Sequence, residues 1–255
     1  MSRIQIKTQE DIKLLKTACE VTKTILDEVG SIVKPGVSTG AINDFVHNMT
    51  TKLGAVPAPL NYKGFPASVC TSVNEVVCHG IPDPYHILKE GDIINIDITS
   101  IKNGFYGDSS RMYFVGGREA CSKEVIDLVD ITKESLFKGI EEVAPGKNIG
   151  DIGAGIQKYI ESLDKNYGIV REYTGHGIGK SFHEEPQVLH FGHYGEGPKI
   201  KEGMTFTIEP MINIGGWKTK LSQIDGWTVR TADNSLSAQW EHTLVVTNDS
   251  YEILT

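Results

Sequence analysis

The sequence predicts an α+β protein made of two related halves, each with two helices followed by antiparallel strands. Residues 89–97 read Lys-Glu-Gly-Asp-Ile-Ile-Asn-Ile-Asp, and residues 201–209 repeat the pattern as Lys-Glu-Gly-Met-Thr-Phe-Thr-Ile-Glu. A second repeat, Val-Lys-Pro-Gly at 33–36 and Val-Ala-Pro-Gly at 143–146, precedes the first in each half. Pro-Gly turns before helices are common on their own. Two repeats in the same order, at nearly the same separation, indicate an internal duplication.

Two helices are predicted in the first half. Thr8 and Asp11 form a weak capping box, and apolar residues then recur at mostly helical spacing until Gly30. A second helix begins at Ser38 or Thr39 and carries apolar residues at the same period.

The second half repeats this arrangement. A helix begins near Ser122, a Pro-Gly turn follows at 145–146, and a further helix carries isoleucines between Ile149 and Ile160. Each half therefore places a pair of helices before its strands.

Six strands are predicted from apolar and β-branched residues that lie between turn signals. They cover residues 68–77, 92–99, 104–115, 205–214, 226–231 and 239–247. Asn103-Gly104 is a typical hairpin turn between the second and third of these strands. Because no Pro/Ser-rich linker divides the chain, we predict one domain over residues 1–255, with halves of about 1–117 and 118–255. Its antiparallel strands form a central sheet, and its helices pack on one side.

Composition and charge exclude several functional classes. The hydrophobic (39%) and charged (23%) fractions are ordinary for a globular protein. No apolar run approaches the roughly 20 residues needed to cross a bilayer, and the N-terminal residues lack a signal-peptide core. We therefore expect a cytoplasmic protein without a membrane partner. The net charge of −8 disfavours nucleic-acid binding. The four cysteines form no C-x-x-C pair and indicate neither a disulfide framework nor a structural zinc site.

Four acidic residues end or interrupt strands that otherwise have the pattern of core strands. Asp97 ends the first repeat, and the predicted hairpin brings Asp108 almost opposite it. Two carboxylates held close together repel each other unless a cation lies between them. Glu209 and Glu241 interrupt strands of the second half, and buried acids of this kind are usually paired or metal-bound. For Asp97 and Asp108, exposure in a turn is the alternative interpretation.

His176 lies between glycines in the segment 173–179, Tyr-Thr-Gly-His-Gly-Ile-Gly, where small residues let the backbone bend around a ligand. The alternative is an exposed loop histidine. The Gly-Lys-Ser that follows does not form a phosphate-binding loop, because that motif requires a glycine where Thr174 stands.

The acids and the imidazole together form a hard, oxygen-rich set of metal ligands. The set comprises Asp97, Asp108, His176, Glu209 and Glu241. Two of its acids can bridge, so it has enough carboxylates for two divalent ions such as Mn²⁺, Fe²⁺, Co²⁺ or Zn²⁺. Paired ions of this kind activate water and polarise a carbonyl, so metal-assisted hydrolysis is the predicted reaction class.

Two further histidines are candidates for positioning a substrate. His79 and His183 lie in turn-like segments that contain glycine or proline. The remaining histidines have no comparable setting and are interpreted as surface or packing residues: His47, His86, His190, His193 and His242.

The motifs around these residues resemble the type I methionine aminopeptidases nearly from end to end. They are the segments 74–82, 97–108, 175–179, 182–186, 207–210 and 237–243. The resemblance implies the "pita-bread" fold, in which a pseudo-twofold axis relates the two halves. It also implies an aminopeptidase that removes the initiator methionine from nascent proteins whose second residue is small.

The resemblance further implies a role for each candidate site residue. The ligand set above would bind two divalent ions, with Asp108 and Glu241 bridging them. Glu209 would also move the proton from the attacking water to the leaving amine. His79 would hydrogen-bond the substrate, and His183 would stabilise the oxyanion.

A methionine pocket and further partners are implied in the same way. The pocket would be lined by Tyr62, Phe65, Cys70, Phe182 and Trp227, and aromatic rings suit a flexible thioether. Core packing is the alternative for these residues. Asn74, Val76 and Ser237 match a peripheral monovalent-cation site, and the expected partner is the nascent chain at the ribosome, bound by a monomeric enzyme.

Some positions depart from the pattern of bacterial relatives. Pro59, Lys63, Phe65 and Thr174 stand where those proteins often have Cys, His, Tyr and Cys. None is a predicted ligand, so the departures concern the shape of the pocket. The alternatives are an Xaa-Pro aminopeptidase or prolidase of similar fold, and an inactive relative that serves as a binding scaffold. The complete ligand set disfavours the scaffold.

Overall fold

The computed structural model describes residues 4–255, so residues 1–3 of the predicted domain lie outside the described part. Each predicted helix is present in this part and begins at or beside the residue expected to start it. The helices are α1 Gln9–Val29, α2 Thr39–Lys52, α3 Lys123–Ile140 and α4 Ile149–Glu161.

Side-chain caps fix where the helices begin. Thr8 Oγ1 accepts a hydrogen bond from Asp11 N, and the Asp11 carboxylate accepts one from Thr8 N, which confirms the predicted capping box. Ser38 and Ser122 each accept a bond from the backbone N–H three residues later. Such caps contribute about 1 kcal/mol each to helix stability.

The strands are mostly short. They are β1 Val56–Pro57, β2 Cys70–Val73, β3 Val76–Cys78, β4 Ile93–Lys102, β5 Phe105–Phe114, β6 Gly168–Ile169, β7 Gly175–Gly177, β8 Glu184–Val188, β9 Thr205–Ile208, β10 Met211–Asn213, β11 Thr219–Leu221, β12 Val229–Thr231, β13 Ser237–Gln239, β14 His242–Val246 and β15 Tyr251–Ile253. In the first half, β4 pairs with β1, β2 and β5; in the second, the order is β15-β14-β9-β7-β8. All of these pairs are antiparallel.

The hairpin of β4 and β5 brings the first two acids to one face. Asn103 and Gly104 both have positive φ angles, of 53° and 77°, as a two-residue hairpin turn requires. The register pairs Thr99 with Asp108. Because alternate residues of a strand point to the same face, Asp97 and Asp108 lie diagonally across the hairpin on one face.

Two strands of the second half were predicted to be continuous, and this was wrong. The strand over 205–214 is split into β9 and β10 at Glu209 and Pro210, because proline has no N–H to continue the ladder. The strand over 239–247 is split into β13, which pairs with β10, and β14, which pairs with β9. Both breaks therefore coincide with a predicted metal ligand.

Other strand predictions also need correction. The strand over 68–77 is broken by a turn at Asn74, whose φ is 54°, and the one over 226–231 is shortened to β12. Sequence periodicity did not predict β1, β6, β7, β8, β11 or β15. These strands have two to five residues and some consist largely of glycine, so they carry little apolar alternation.

Each half buries its helix pair against its own sheet. In the first half, Ile25 of α1 and Ile42 of α2 belong to one buried cluster with Ile96 of β4. In the second half, Leu136 of α3 and Ile152 of α4 are clustered with apolar residues of β9 and β14. Full burial of one such side chain stabilises the fold by about 1.5–3 kcal/mol. The predicted α+β, pseudo-twofold arrangement is confirmed.

The two halves are joined where β5 meets β14. Ser109 Oγ donates a 2.6 Å hydrogen bond to the carbonyl of Glu241, and Thr243 Oγ1 donates one of 2.7 Å to the carbonyl of Asp108. Glu241 N donates to Ser110 O at 3.2 Å. The join between the halves therefore runs through the backbone of two predicted metal ligands.

Within residues 4–255, no helix combines the length and the apolar character that crossing a bilayer would need.

Candidate metal centre and substrate pocket

One cavity of about 310 Å³ lies between the two halves, and every predicted divalent-metal ligand and substrate-contacting residue lines it. The predicted metal ligands on its wall are Asp97, Asp108, His176, Glu209 and Glu241. The other predicted residues on its wall are Tyr62, Phe65, Cys70, His79, Phe182, His183 and Trp227. Residues that lie far apart in the sequence thus meet at one place.

Five different segments deliver the predicted ligands. Asp97 lies on β4 and Asp108 on β5, His176 is the central residue of β7, Glu209 follows β9, and Glu241 lies between β13 and β14. Each half contributes one antiparallel pair of strands with two acids, β4 with β5 and β9 with β14.

The ligand atoms are close enough to share an ion. One atom from each of Asp108, His176 and Glu241 lies within 4.8 Å of the others. His176 Nε2 is 3.6 Å from Asp108 Oδ2 and 3.7 Å from Glu209 Oε1. Both distances exceed the normal length of a hydrogen bond.

The acids strongly favour a bound cation. Burial raises the pKa of Asp97 to about 7. Burial, followed by repulsion from neighbouring carboxylates, raises the pKa of Asp108, Glu209 and Glu241 well above their usual range. A divalent ion reverses this effect, because it favours the charged form of every carboxylate around it.

His176 has the form of a metal ligand. Burial lowers its pKa to about 4, so the imidazole is neutral. Nδ1 donates to the carbonyl of Gly177 at 3.0 Å, which leaves a lone pair on Nε2. That nitrogen is the one nearest to Asp108 and Glu209.

The buried polar atoms also fit a divalent ion. Glu241 is 2% exposed, yet its Oε1 has no hydrogen-bond partner among residues 4–255. A buried carboxylate oxygen without a partner is costly unless it coordinates a cation. Oxygen-rich sites with one imidazole suit divalent ions, so the residues present fit the predicted metal.

The glycines beside His176 have a different structural role from the predicted one, which was to let the backbone bend around a ligand. Gly175 and Gly177 belong to strand β7, not to a loop that bends around a ligand. A Cβ at Gly175 would lie 2.4 Å from Thr207 O, and one at Gly177 would lie 2.2 Å from Glu185 O. The glycines therefore allow the neighbouring strands to approach His176 closely.

Hydrogen bonds orient the acids, and the sequence prediction missed the residues that make them. Thr99 Oγ1 donates to Asp108 Oδ1 at 2.8 Å. Thr207 Oγ1 donates to Glu209 Oε1 at 2.8 Å, and Gln239 Nε2 donates to Glu209 Oε2 at 3.2 Å. Thr99, Thr207 and Gln239 each lie two residues from a predicted ligand, so strand alternation was the signal that could have found them.

His190 is a further residue that the prediction missed. It was interpreted as a surface or packing residue, but it is 1% exposed and its Nε2 accepts a 3.2 Å hydrogen bond from Glu209 N. Burial lowers its pKa to about 3, so the ring is neutral and can accept this bond. The apolar neighbours Leu189 and Phe191 were the only sequence signal of its burial.

The two substrate-positioning candidates are neutral imidazoles that both line the cavity. Burial lowers the pKa of His79 to about 4, and its ring packs edge-on against Tyr173 and Trp227. Burial, followed by the proximity of His176, lowers the pKa of His183 to about 3. The ring centroids of His176 and His183 are 4.1 Å apart.

The predicted pocket residues form two aromatic groups. The Tyr62 ring lies 4.9 Å from that of Phe182, and Tyr62 Oη is 2.9 Å from His183 Nδ1. Phe65 meets Trp227 edge-on at 5.2 Å and shares a small buried cluster with Cys70. Burial keeps the pKa of the Cys70 thiol well above its usual range, so the thiol is neutral.

The positions that depart from bacterial relatives all line the same cavity. They are Pro59, Lys63, Phe65 and Thr174. Lys63 adopts a left-handed conformation with φ 47°, and its ammonium lies 5.3 Å from the centre of the Tyr62 ring. The departures thus lie on the wall of the pocket, and the Lys63 ammonium lies beside one of its predicted lining residues.

The predicted peripheral cation residues adjoin one another outside the cavity. Ser237 N donates to Asn74 O at 3.0 Å, and Val76 lies on β3, two residues beyond Asn74. Ser237 Oγ is buried and has no hydrogen-bond partner in the described part of the chain.

Comparison with known proteins agrees with this geometry. Residues 13–248 match the Peptidase_M24 family, metallopeptidase family M24. A methionine aminopeptidase of Rickettsia prowazekii is 52% identical over 252 residues, which cover 99% of this chain and 95% of that protein. A methionine aminopeptidase of Escherichia coli K12 is 50% identical over 256 residues, which cover 99% of this chain and 94% of that protein.

Solved structures give the same result. The crystal structure of the Rickettsia prowazekii methionine aminopeptidase superimposes with a TM-score of 0.96, covering 99% of this chain and 100% of that one. A methionine aminopeptidase from Thermotoga maritima, 37% identical, superimposes with a TM-score of 0.95 and covers 99% of both chains. The predicted resemblance, fold and enzyme class are confirmed. The chain belongs to metallopeptidase family M24 and, within it, to the methionine aminopeptidases.

Proposed function

We propose that this enzyme uses two divalent metal ions to remove the initiator methionine from proteins whose second residue is small. The convergence of five ligand-type side chains on one cavity with an aromatic wall carries the proposal. The names of the similar proteins support methionine as the residue removed. The preference for a small second residue rests on the resemblance of the motifs.

The proposed ligands are Asp97, Asp108, His176, Glu209 and Glu241, with Asp108 and Glu241 shared between the two ions. The close grouping of Asp108, His176 and Glu241 supports this assignment. The four acids, of which Asp108 and Glu241 are buried, carry more negative charge when ionised than one divalent ion neutralises, which supports a second ion. Mn²⁺, Fe²⁺, Co²⁺ or Zn²⁺ held here would lower the pKa of a water molecule and polarise the scissile carbonyl.

Glu209 is the proposed proton carrier. Thr207 and Gln239 each hold one of its carboxylate oxygens, and His190 accepts from its backbone N–H. These bonds fix the orientation of the carboxylate, which accepts a proton from the attacking water and delivers it to the leaving amine nitrogen.

The two neutral histidines are the proposed donors to the substrate. We assign Tyr62 Oη, which lies 2.9 Å from His183 Nδ1, as the donor to that nitrogen; the His183 proton would then be on Nε2. That N–H donates to the oxyanion of the tetrahedral intermediate, and removal of such a donor typically costs about 10²–10³ in rate. His79, also on the wall of the cavity, donates to the peptide beyond the scissile bond.

The methionine side chain is proposed to lie among Tyr62, Phe65, Cys70, Phe182 and Trp227. A thioether gains about 0.3–1.5 kcal/mol from contact with an aromatic ring, which favours methionine over leucine of similar size. The neutral Cys70 thiol adds a small, weakly polar surface.

The proposed substrate also indicates where in the cell the enzyme acts. Initiator methionines occur on nascent chains, so we propose a cytoplasmic enzyme that acts near the ribosome. One chain forms the whole cavity, and we therefore propose that the active unit is a monomer. A monovalent cation at Asn74, Val76 and Ser237 is part of the proposal and is supported by the unpaired Ser237 hydroxyl.

The test is a metal-dependent peptide assay. Protein stripped with a chelator and reloaded with each divalent ion in turn is expected to release methionine from Met-Ala-Ser and much more slowly from Met-Lys-Ser. No methionine release with any ion would overturn the proposal. Preferential cleavage of an Ala-Pro peptide would instead assign an Xaa-Pro aminopeptidase or prolidase activity.

The number of ions is tested separately by calorimetric titration of the stripped protein with Mn²⁺. Two bound ions per chain are expected. Saturation of activity at one ion per chain would contradict the dinuclear assignment.

A further inference from the structure

A buried ion pair connects the segment before α1 with the loop that carries His183. Lys7 Nζ lies 2.5 Å from Glu184 Oε2, and the two side chains are only 5% and 7% exposed. Lys7 N also donates to Gly203 O at 2.8 Å, which fixes the lysine backbone to the second half. Lys7 belongs to none of the motifs that predicted the site.

The Glu184 carboxylate joins this lysine to the loop. Its second oxygen, Oε1, accepts a 3.1 Å hydrogen bond from Ser181 N, while Oε2 meets Lys7. Phe182 and His183 are the two residues enclosed between Ser181 and Glu184. The ion pair therefore holds both ends of the segment that presents His183 to the cavity.

The lysine side chain occupies space that only a glycine leaves free. A Cβ at Gly179 would lie 2.3 Å from Lys7 Cε, so the chain of Lys7 crosses directly over the Gly179 backbone. Gly179 O accepts a 2.9 Å bond from Tyr106 N on β5, which fixes the start of the loop to the first half. Lys7 thus packs against the loop as well as pairing with it.

Stability alone does not explain a pair that is so deeply buried. Removing two charges from water costs several kcal/mol per ion, and apolar replacements of buried pairs are often neutral or stabilising. The exposed pair Lys16–Glu252, at 44% and 48% exposure, has no such desolvation cost. The position of Lys7–Glu184 beside the catalytic loop indicates a role in geometry.

We propose that Lys7 and Glu184 are positioning residues that hold His183 in its working position. The inference rests on the proposed function, in which His183 donates to the oxyanion. No hydrogen bond or ion pair within residues 4–255 joins the side chains of Lys7 and Glu184 to a proposed metal ligand, and the pair acts through the loop. A displacement of about 1 Å at a catalytic group can lower a rate about 100-fold.

The test is a double-variant cycle with the metal-loaded enzyme. Lys7→Met and Glu184→Gln are each expected to lower kcat/KM for Met-Ala-Ser by about 10- to 100-fold, mainly through kcat, with unchanged metal content. His183→Ala alone lowers it about 100-fold. Lys7→Met is expected to add less than about 2-fold in the His183→Ala background, because it acts through His183.

Lys16→Met, which removes the exposed pair, is the matched control and is expected to leave kcat/KM unchanged. Equal effects of Lys7→Met with and without His183, or no effect in either background, would overturn the inference. The doubly neutral variant Lys7→Met/Glu184→Gln avoids an unpaired buried charge and is used if a single variant fails to fold.

A second readout does not depend on activity. Hydrogen exchange at the amides of residues 181–184 is expected to become faster in Lys7→Met but not in Lys16→Met. Unchanged hydrogen exchange at these amides in Lys7→Met would contradict the inference that the Lys7–Glu184 ion pair holds this segment. If the wild-type enzyme released no methionine but the exchange result were as expected, the proposed function would be wrong. The inference that the ion pair holds residues 181–184 in place would still be supported.

Discussion

Thr99 and Asp108 lie directly opposite each other on β4 and β5, and Thr99 Oγ1 donates a 2.8 Å hydrogen bond to Asp108 Oδ1. Both side chains are buried. The bond uses one carboxylate oxygen and leaves Oδ2 on the side of His176, 3.6 Å from its Nε2. Thr99 therefore determines which oxygen of Asp108 faces the candidate metal centre.

Thr99→Val is expected to weaken binding of Mn²⁺ by about 10- to 100-fold, because outer hydrogen bonds of this kind orient the ligand. Valine keeps the shape of threonine, so the fold is retained. Calorimetric titration measures the affinity. Ser100→Ala, on the other face of β4, removes a buried hydroxyl without a described partner and serves as the control. Equal affinities of Thr99→Val and the wild type would contradict the role of this bond.

Glu209→Gln is expected to keep the fold but lower turnover of Met-Ala-Ser by about 10²–10⁴, the usual contribution of a general acid–base group. The amide keeps the side-chain volume but cannot carry the proton. Circular dichroism checks the fold, and Glu202→Gln, an exposed acid in the same repeat, is the control. Turnover comparable to wild type in metal-replete conditions would remove Glu209 from the mechanism.

His79→Ala is expected to lower turnover about 10- to 100-fold or more without loss of bound metal, because the ring donates to substrate and is not a ligand. Its packing against Tyr173 and Trp227 places it on the wall of the pocket. Elemental analysis of the purified variant measures the metal content. A variant that had lost its metal would show that His79 belongs to the centre itself.

In the metal-free protein, the contribution of Asp97 to the free energy of unfolding is expected to depend on pH. Burial raises the pKa of Asp97 from 3.8 to about 7, so the folded state holds this proton more tightly than the unfolded state. The stabilising contribution of the protonated Asp97 carboxyl to the free energy of unfolding is complete below about pH 4. It is lost as the pH rises to about 7. The Tm of chelated Asp97→Asn should therefore increase relative to that of the chelated wild type across this window.

Calorimetry of both chelated proteins over the same pH range makes the comparison. The buried neutral histidines change stability in the opposite sense, since their pKa values are lowered. They are present in both proteins and cancel in the difference. A difference in Tm that does not vary with pH would contradict the raised pKa.

The helices could be predicted because their signals are local. Thr8, Ser38 and Ser122 each mark a helix start through a side chain that accepts a hydrogen bond three residues later. The hairpin at Asn103-Gly104 was predictable for the same reason, since its turn requires residues that tolerate positive φ.

The strand breaks at Glu209 and Glu241 could not be predicted from periodicity. Glu241 leaves its ladder because its N–H donates to Ser110 on a strand of the other half. That partner is distant in the sequence and becomes close only when the halves meet. Strand β7 was not predicted because two of its three residues are glycines. The close approach of neighbouring strands leaves no room for a Cβ at these two positions.

The predicted ligands were recognisable because acids in apolar strands are unusual. The residues that support them are ordinary polar residues in the sequence. Thr207 and Gln239 can be recognised as site residues only because each shares a strand face with a neighbouring acid. His190 contacts Glu209, and Lys7 contacts Glu184 beside His183; both come from other segments, and no spacing rule connects them to the site.

The matched carboxylate pairs on β4–β5 and β9–β14 bear on the ancestry of the molecule. Two identical half-length chains, associated about a twofold axis, would already present all four acids around a common centre. Of the five proposed ligands, the imidazole of His176 is the one that this symmetry does not supply in pairs. Fusion of such copies into one polypeptide would have freed the halves to diverge, so that the second half could supply the asymmetric ligand while both halves supply different residues to the lining of the cavity.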